Sequence, residues 1–224
     1  MQAYEIQIEN DLLWREKELV SLKRMAIVNQ DNEVVYRTLL RAAWATLYAH
    51  FEGFTKFVWE LLLDCVQDDE TPIGDLSDEF KLIALEKTFK KLRGDFSSAA
   101  ILDFFEIEMT EVLGVPAIFD ETCRLSTDSN LWPNVFEREC SKIGITSEVL
   151  VDVRSRIKTL VARRNDIAHG KNMTINSVDE YSKYEHAALL VMHDLALQVL
   201  TCIDQKLYVR ANNSIQPTAN TSAD

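Results

Sequence analysis

The chain has 224 residues, only 6 of them Gly and 4 Pro, and 47% are hydrophobic. Gly and Pro at well under the usual share of about 12% exclude a disordered, collagen-like or turn-rich β chain, since a sandwich or barrel needs a turn signal about every 8–12 residues. The 36 acidic and 24 basic residues leave a net charge of −12, which argues against a protein that coats nucleic acid but not against a local basic site.

Long helices are therefore predicted, forming a single domain over residues 1–210. The first segment, Tyr4–Val28, carries Ile8, Leu12, Leu19 and Leu22 at spacings of four, seven and three, which places one apolar stripe on a helix. Its acidic start lacks the basic and apolar regions of a signal peptide. No apolar run approaches the roughly 18 residues of a membrane span, so a cytoplasmic protein with no membrane attachment is expected. The second segment, Glu33–Val66, repeats Trp44, Leu47, Tyr48, Phe51, Phe54, Val58, Leu61 and Leu62 at threes and fours. Gly53 inside that stripe costs about 1 kcal/mol relative to Ala; either another helix approaches closely there or the glycine is merely tolerated.

An acidic insertion of short helices is expected over about 67–128. Asp64–Glu79 and Asp95–Glu121 each hold seven acidic residues and no Lys or Arg, and a basic helix, Lys81–Arg93, is predicted between them. Pro72 and Pro116 fall in its loops, and the spaced Asp/Gly pattern of a calcium loop is missing. Ser129-Asn130 then leads into a short helix with Pro133 in its first turn, ended by Gly144. Ser147 caps a helix running to His169. Ser177-x-x-Glu180 reads as a capping box opening a helix over Val178–Leu207, and the polar tail Ala211–Asp224 reads as disordered. Cys65, Cys123, Cys140 and Cys202 form no CxxC pair. Structural zinc is not expected, the thiols are read as reduced and packed, and no metal or cofactor is implied.

The helix ending at His169 carries the chemistry. Its apolar stripe is Leu150, Val153, Ile157, Leu160 and Val161, and the next position of that stripe is Arg164. A cation aimed at the packed side needs a carboxylate, a subunit interface or an anionic ligand. Asn165 and His169, four apart, share a face beside it. An imidazole can give or take a proton near neutral pH, a guanidinium can hold phosphate oxygens and stabilise developing charge, and an amide can orient the imidazole. The same residues also suit an ordinary helix end, with cations opposing the macrodipole and Gly170 as cap. Lys142–Lys171 holds seven basic and three acidic residues, a locally basic stretch in an acidic chain, so an anionic ligand is expected. Arg163 and Lys171 within it are candidate anion contacts.

Arg164-Asn165-Asp166-Ile167-Ala168-His169-Gly170 resembles the R-x4-H motif, in its RNxxAHG form, of the HEPN superfamily, helical-bundle domains common in prokaryotic conflict systems. Tyr48-Ala49-His50-Phe51-Glu52-Gly53-Phe54 resembles the YAHxEGF helix of the MAE/RiboL-PSP type of HEPN domain. Ser129-Asn130-Leu131, Lys142-Ile143-Gly144-Ile145 and Trp14-Arg15-x-x-Glu18-Leu19 are similar to further segments of that type. The resemblance implies an all-α, antiparallel HEPN bundle. It implies a metal-independent endoribonuclease acting as a homodimer, in which two R-x4-H helices build one composite site. His169 would be the acid/base, Arg164 would hold the scissile phosphate and Asn165 would help to position them. The ribose 2′-hydroxyl would attack, leaving a 2′,3′-cyclic phosphate and a 5′-hydroxyl. The implied partners are RNA, with Arg163 and Lys171 as candidate RNA contacts, a second copy, and an antitoxin or other defence-system protein. Lys171 stands where some HEPN toxins carry a modified Tyr, so control by that modification is not expected. The alternative reading is a non-catalytic HEPN module for nucleotide binding or assembly.

Other residues read more plainly. His50 is expected as a core or interface residue, and Glu52 as structural, with pairing to Arg164 as its other reading. His186 and His193, seven apart, are poorly spaced as metal ligands, and Trp44, Trp59, Phe51 and Phe54 belong to the core.

Overall fold

The computed structural model describes residues 2–127 and 129–211, and the described residues contain α-helices, short 3-10 and π turns and two isolated β-bridges, with no strand. Most of the expected tail lies outside them. Four long helices make the bundle: α1 (Gln2–Val28), α2 (Glu33–Asp68), α8 (Glu148–Ala168) and α9 (Val178–Asp204). The four-residue link between α1 and α2 forces them antiparallel, and Asn32 caps α2 by accepting the Val35 N–H at 3.2 Å. α2 and α9 pack on each other along the middle of the bundle. α1 and α8 each pack on both, from opposite sides.

The stripes read from the sequence are the buried ones. Ile8, Leu12 and Leu19 of α1, Trp44, Phe51 and Phe54 of α2, and Leu150, Val153, Ile157, Leu160 and Val161 of α8 all lie in one core. α9 is, by length and composition alone, apolar enough to cross a membrane. Here its Tyr181, Ala188, Val191, Met192, Leu195 and Val199 are buried in the bundle core.

Between α2 and α8 the chain forms α3 (Asp78–Ala84), α4 (Glu86–Gly94), α5 (Ser98–Asp103), α6 (Met109–Leu113) and α7 (Pro133–Lys142), with a π turn at Phe104–Glu108. The single basic helix expected over Lys81–Arg93 is two helices. Leu85, with φ −91° and ψ 0°, breaks the run and turns its side chain into the core. The loops holding Pro72 and Pro116 bridge each other, with Ile73 N–H donating to the Val115 carbonyl at 2.9 Å. α9 stops at Asp204, short of the expected Leu207. The chain then returns along the insertion, where Ser77 N–H donates to the Tyr208 carbonyl at 2.7 Å.

Candidate functional site

α8 begins and ends on identifiable caps. Ser147 Oγ accepts the Leu150 N–H at 3.0 Å and donates to Asp194 of α9 at 2.6 Å, so one hydroxyl starts the helix and ties it to its neighbour. At the other end Gly170 adopts φ +71°, in the left-handed region that favours glycine. Its N–H donates to the Ile167 carbonyl at 3.1 Å, and the Lys171 N–H donates to the Asp166 carbonyl at 2.9 Å. This closes a Schellman motif directly after His169. The chain beyond is pinned from α2: Arg41 donates to the Lys171 and Met173 carbonyls at 3.0 and 2.7 Å, and the Tyr36 hydroxyl accepts the Val178 N–H at 3.0 Å.

Arg164 does point into the packed side, its side chain 21% exposed. The guanidinium carbon lies 3.7 Å from the centre of the Tyr48 ring, and one guanidinium nitrogen lies 3.8 Å from a Glu52 oxygen. Tyr48 and Glu52 are four apart on α2, so one face of that helix offers both an aromatic plane and a carboxylate. Neither satisfies the Arg164 Nε–H. The Glu52 distance is an ion pair without a hydrogen bond, and the Arg164 Nε is buried without a partner. The Tyr48 hydroxyl accepts the Leu131 N–H at 2.8 Å, which brings in the Ser129-Asn130-Leu131 segment. Ser129 has φ +76°, and the Asn130 side-chain oxygen is buried and unpartnered. Burial raises the Tyr48 pKa, partly offset by the Leu131 N–H. Burial also pushes the Glu52 carboxyl up. The hydrogen bond and charge of Lys56, with the Tyr48 and Thr127 hydroxyls, more than reverse that and leave it below the usual range.

The opposite face of the same stretch of α2 turns toward α1 and meets a second cation there. Arg15 is 8% exposed and donates to Asp11 at 2.6 Å and to the His50 carbonyl at 3.4 Å, with the Trp14 ring beneath it. A Cβ on Gly53 would sit 3.0 Å from the Arg15 guanidinium. The close approach to Gly53 is thus that side chain, reaching in from α1. His50 Nε2 lies 2.7 Å from a Glu18 oxygen, out of alignment for a hydrogen bond. The Trp14-Arg15-x-x-Glu18 and Tyr48–Phe54 segments therefore meet in space.

The predicted site residues divide into two sets. His169 is exposed at the C-cap of α8, and Asn165 is half-buried one turn before it, with no hydrogen bond between their side chains. Five residues turn a helix by about 140°, so Arg164 and His169 leave α8 in different directions. Arg163 lies over Trp44 and Tyr184 and is paired with Glu180. That pairing also redirects the capping box: the Ser177 Oγ accepts the Glu180 N–H at 3.1 Å, but the Glu180 carboxylate takes the Asn176 N–H instead of that of Ser177. Lys171 is 68% exposed and pairs with Asp166 at 2.7 Å. Sequence reasoning placed Tyr48 in an apolar stripe and a family-like segment but gave neither it nor Arg41 a contact at the site, because no local spacing announces a partner more than 80 residues away.

An all-helical bundle whose last-but-one long helix ends in R-x4-H, with an aromatic–carboxylate cradle under the arginine, defines the class. The MAE_28990-like HEPN family model matches residues 4–208, and the chain belongs to that family. No curated protein and no solved structure matches it.

Proposed function

We propose that this HEPN domain is a metal-independent endoribonuclease whose site is completed by a second copy of the chain, in a prokaryotic defence or toxin–antitoxin setting. The observation that supports this most directly is the Arg164 guanidinium. It is fixed by the Tyr48 ring and the Glu52 charge, yet its buried Nε is left without a hydrogen-bond partner. A fixed cation whose neighbours do not satisfy all its donors suits a phosphodiester, which accepts two hydrogen bonds from the guanidinium fork. In one chain His169 lies on a different side of α8, and a twofold-related α8 would bring a second imidazole to the same phosphate. One His169 then removes the 2′-hydroxyl proton as that oxygen attacks phosphorus. The other gives a proton to the departing 5′-oxygen as the P–O5′ bond breaks, and Arg164 holds the extra negative charge. Asn165 and Lys171 border this face and contact the RNA, while Arg163 supports α8 from its Glu180 pairing.

The test is cleavage of single-stranded RNA in EDTA. Wild type is expected to yield 2′,3′-cyclic phosphate ends, and His169→Ala is expected to reduce the rate at least about a hundredfold. Wild type that cleaves no RNA and does not affect growth when expressed overturns the enzyme reading. Retained nucleotide binding would then favour the non-catalytic module.

A further inference from the structure

α1 is apolar on two sides. Its buried stripe is Ile8, Leu12, Leu19 and Ala26, against α2 and α9. Its solvent side carries Ile6, Leu13, Val20 and Ile27, each seven residues after the last and each 47–48% exposed. The rim helix of a soluble bundle normally turns a polar face outward. A strict seven-residue repeat is instead the period of a helix that pairs with another in a left-handed coil. A shallow groove of about 620 Å³ runs along this side, lined among others by Leu13, Lys17, Val20, Arg24 and Val28.

The charges beside the stripe indicate what covers it. Glu9, Lys17 and Arg24 are exposed and have no ion-pair partner among the described residues. Lay a second α1 antiparallel on the first, with the twofold axis between Glu16 and Lys17. Ile6 then faces Ile27 of the second copy and Leu13 faces Val20. In the same register Glu9 faces Arg24, while Lys17 faces Glu16, which already lies 2.6 Å from His193 Nε2 of its own chain. One axis position satisfies both the apolar repeat and the unpaired Glu9 and Arg24 charges. A parallel pairing in register would set Glu9 against Glu9 and Arg24 against Arg24. We propose that the outer face of α1 is a self-association surface, pairing antiparallel with α1 of a second copy of this chain in that register.

This surface is separate from the R-x4-H face, because α1 and α8 lie on opposite sides of the α2–α9 pair. It does not depend on the proposed nuclease activity. If α8 also pairs, each chain has two twofold faces and assembly passes beyond the dimer. If α8 does not, the α1 pair is the dimer.

Sedimentation of the full chain at micromolar concentration tests the surface. The Leu13→Glu/Val20→Glu variant is expected to lower the assembly mass while helical content is kept, to a monomer if α1 is the one pairing face and to a dimer if α8 also pairs. Glu9→Lys and Arg24→Glu should each weaken association on the order of tenfold, since each sets like charges opposite one another twice per pair. The Glu9→Lys/Arg24→Glu double variant should recover to within about threefold of wild type, because opposite charges face again. All four positions are solvent-facing, so the charge series still decides the matter if the apolar variant fails to fold. A monomeric wild type, an unchanged mass in the folded apolar variant, or a double charge variant weaker than both singles overturns the proposal. RNA cleavage measured on the same samples separates the two readings: loss of α1 pairing with cleavage intact supports this surface, and absent cleavage with α1 pairing intact counts against the nuclease alone.

Discussion

Tyr48 serves Arg164 and Leu131 with different parts of one side chain. Its ring lies under the guanidinium and its hydroxyl accepts a buried N–H. The two contributions can be separated. Tyr48→Phe keeps the ring but strands the Leu131 N–H, at an expected cost of about 1–3 kcal/mol. Tyr48→Leu also removes the cation–ring contact, a further loss of about 1–2 kcal/mol. Urea melts of the two variants give the difference, and equal losses would mean the ring contact contributes nothing. At His50, burial and then the Arg15 charge hold the imidazole below its usual range, against the pull of Glu18 and Asp11. The folded state thus binds that proton more weakly than the unfolded chain. Stability is complete above the ordinary histidine value of about 6.5 and is lost as the pH falls below it. Melts across that range should slope downward toward acid, and His50→Gln should flatten the slope. A slope unchanged in the variant contradicts the assignment. The inward direction of Arg164 was legible in the sequence, because helical period alone decides which side a residue faces. What it meets there was not, since Tyr48 and Glu52 come from a helix more than 100 residues earlier.

At the scale of elements, the caps of α8 matter most to the site. Ser147→Ala removes both the N-cap and the link to Asp194, with an expected loss of about 1–2 kcal/mol. Gly170→Ala meets no atom within 4 Å, so any cost is that of the left-handed backbone, about 1–2 kcal/mol. Thermal melts check both, and a neutral Gly170→Ala would mean that the terminus relaxes. The four long helices were readable because each buries a continuous stripe, and burial imposes a period. The insertion was less readable. Its helices are too short for a period to show, and Leu85 ends one of them through tertiary burial, with no Gly or Pro at the break. The Ser177–Glu180 box was half right: its serine caps, while its carboxylate is drawn away by Arg163 and Asn176.

At the scale of the whole molecule, the acidic total hides an uneven distribution. The carboxylates concentrate in the insertion, while α8 and the turn after it carry Arg154, Arg156, Lys158, Arg163, Arg164 and Lys171. An anionic ligand is expected to approach from that side, and its binding should weaken with salt. Titrating labelled RNA against His169→Ala, which should bind without cutting, checks this: affinity should fall as salt rises, and a flat response would point away from phosphate contacts. Because the proposed site draws on two chains, cleavage per chain should also rise with protein concentration until association saturates.

One rod sets the geometry of the motif. Arg41, Tyr48 and Glu52 lie on one side of α2. The first holds the turn after His169, and the other two hold Arg164. The two ends of R-x4-H are thus gauged against a ruler outside their own helix. One residue inserted between Arg41 and Tyr48 would shift those marks by about 1.5 Å and twist them by about 100°. One end of the motif would lose its anchor although no residue of the motif had changed. The same insertion between Asn29 and Asn32, in the link from α1 to α2, would leave the marks in phase. The helical phase of α2 is therefore as much a part of this site as the arginine and histidine themselves.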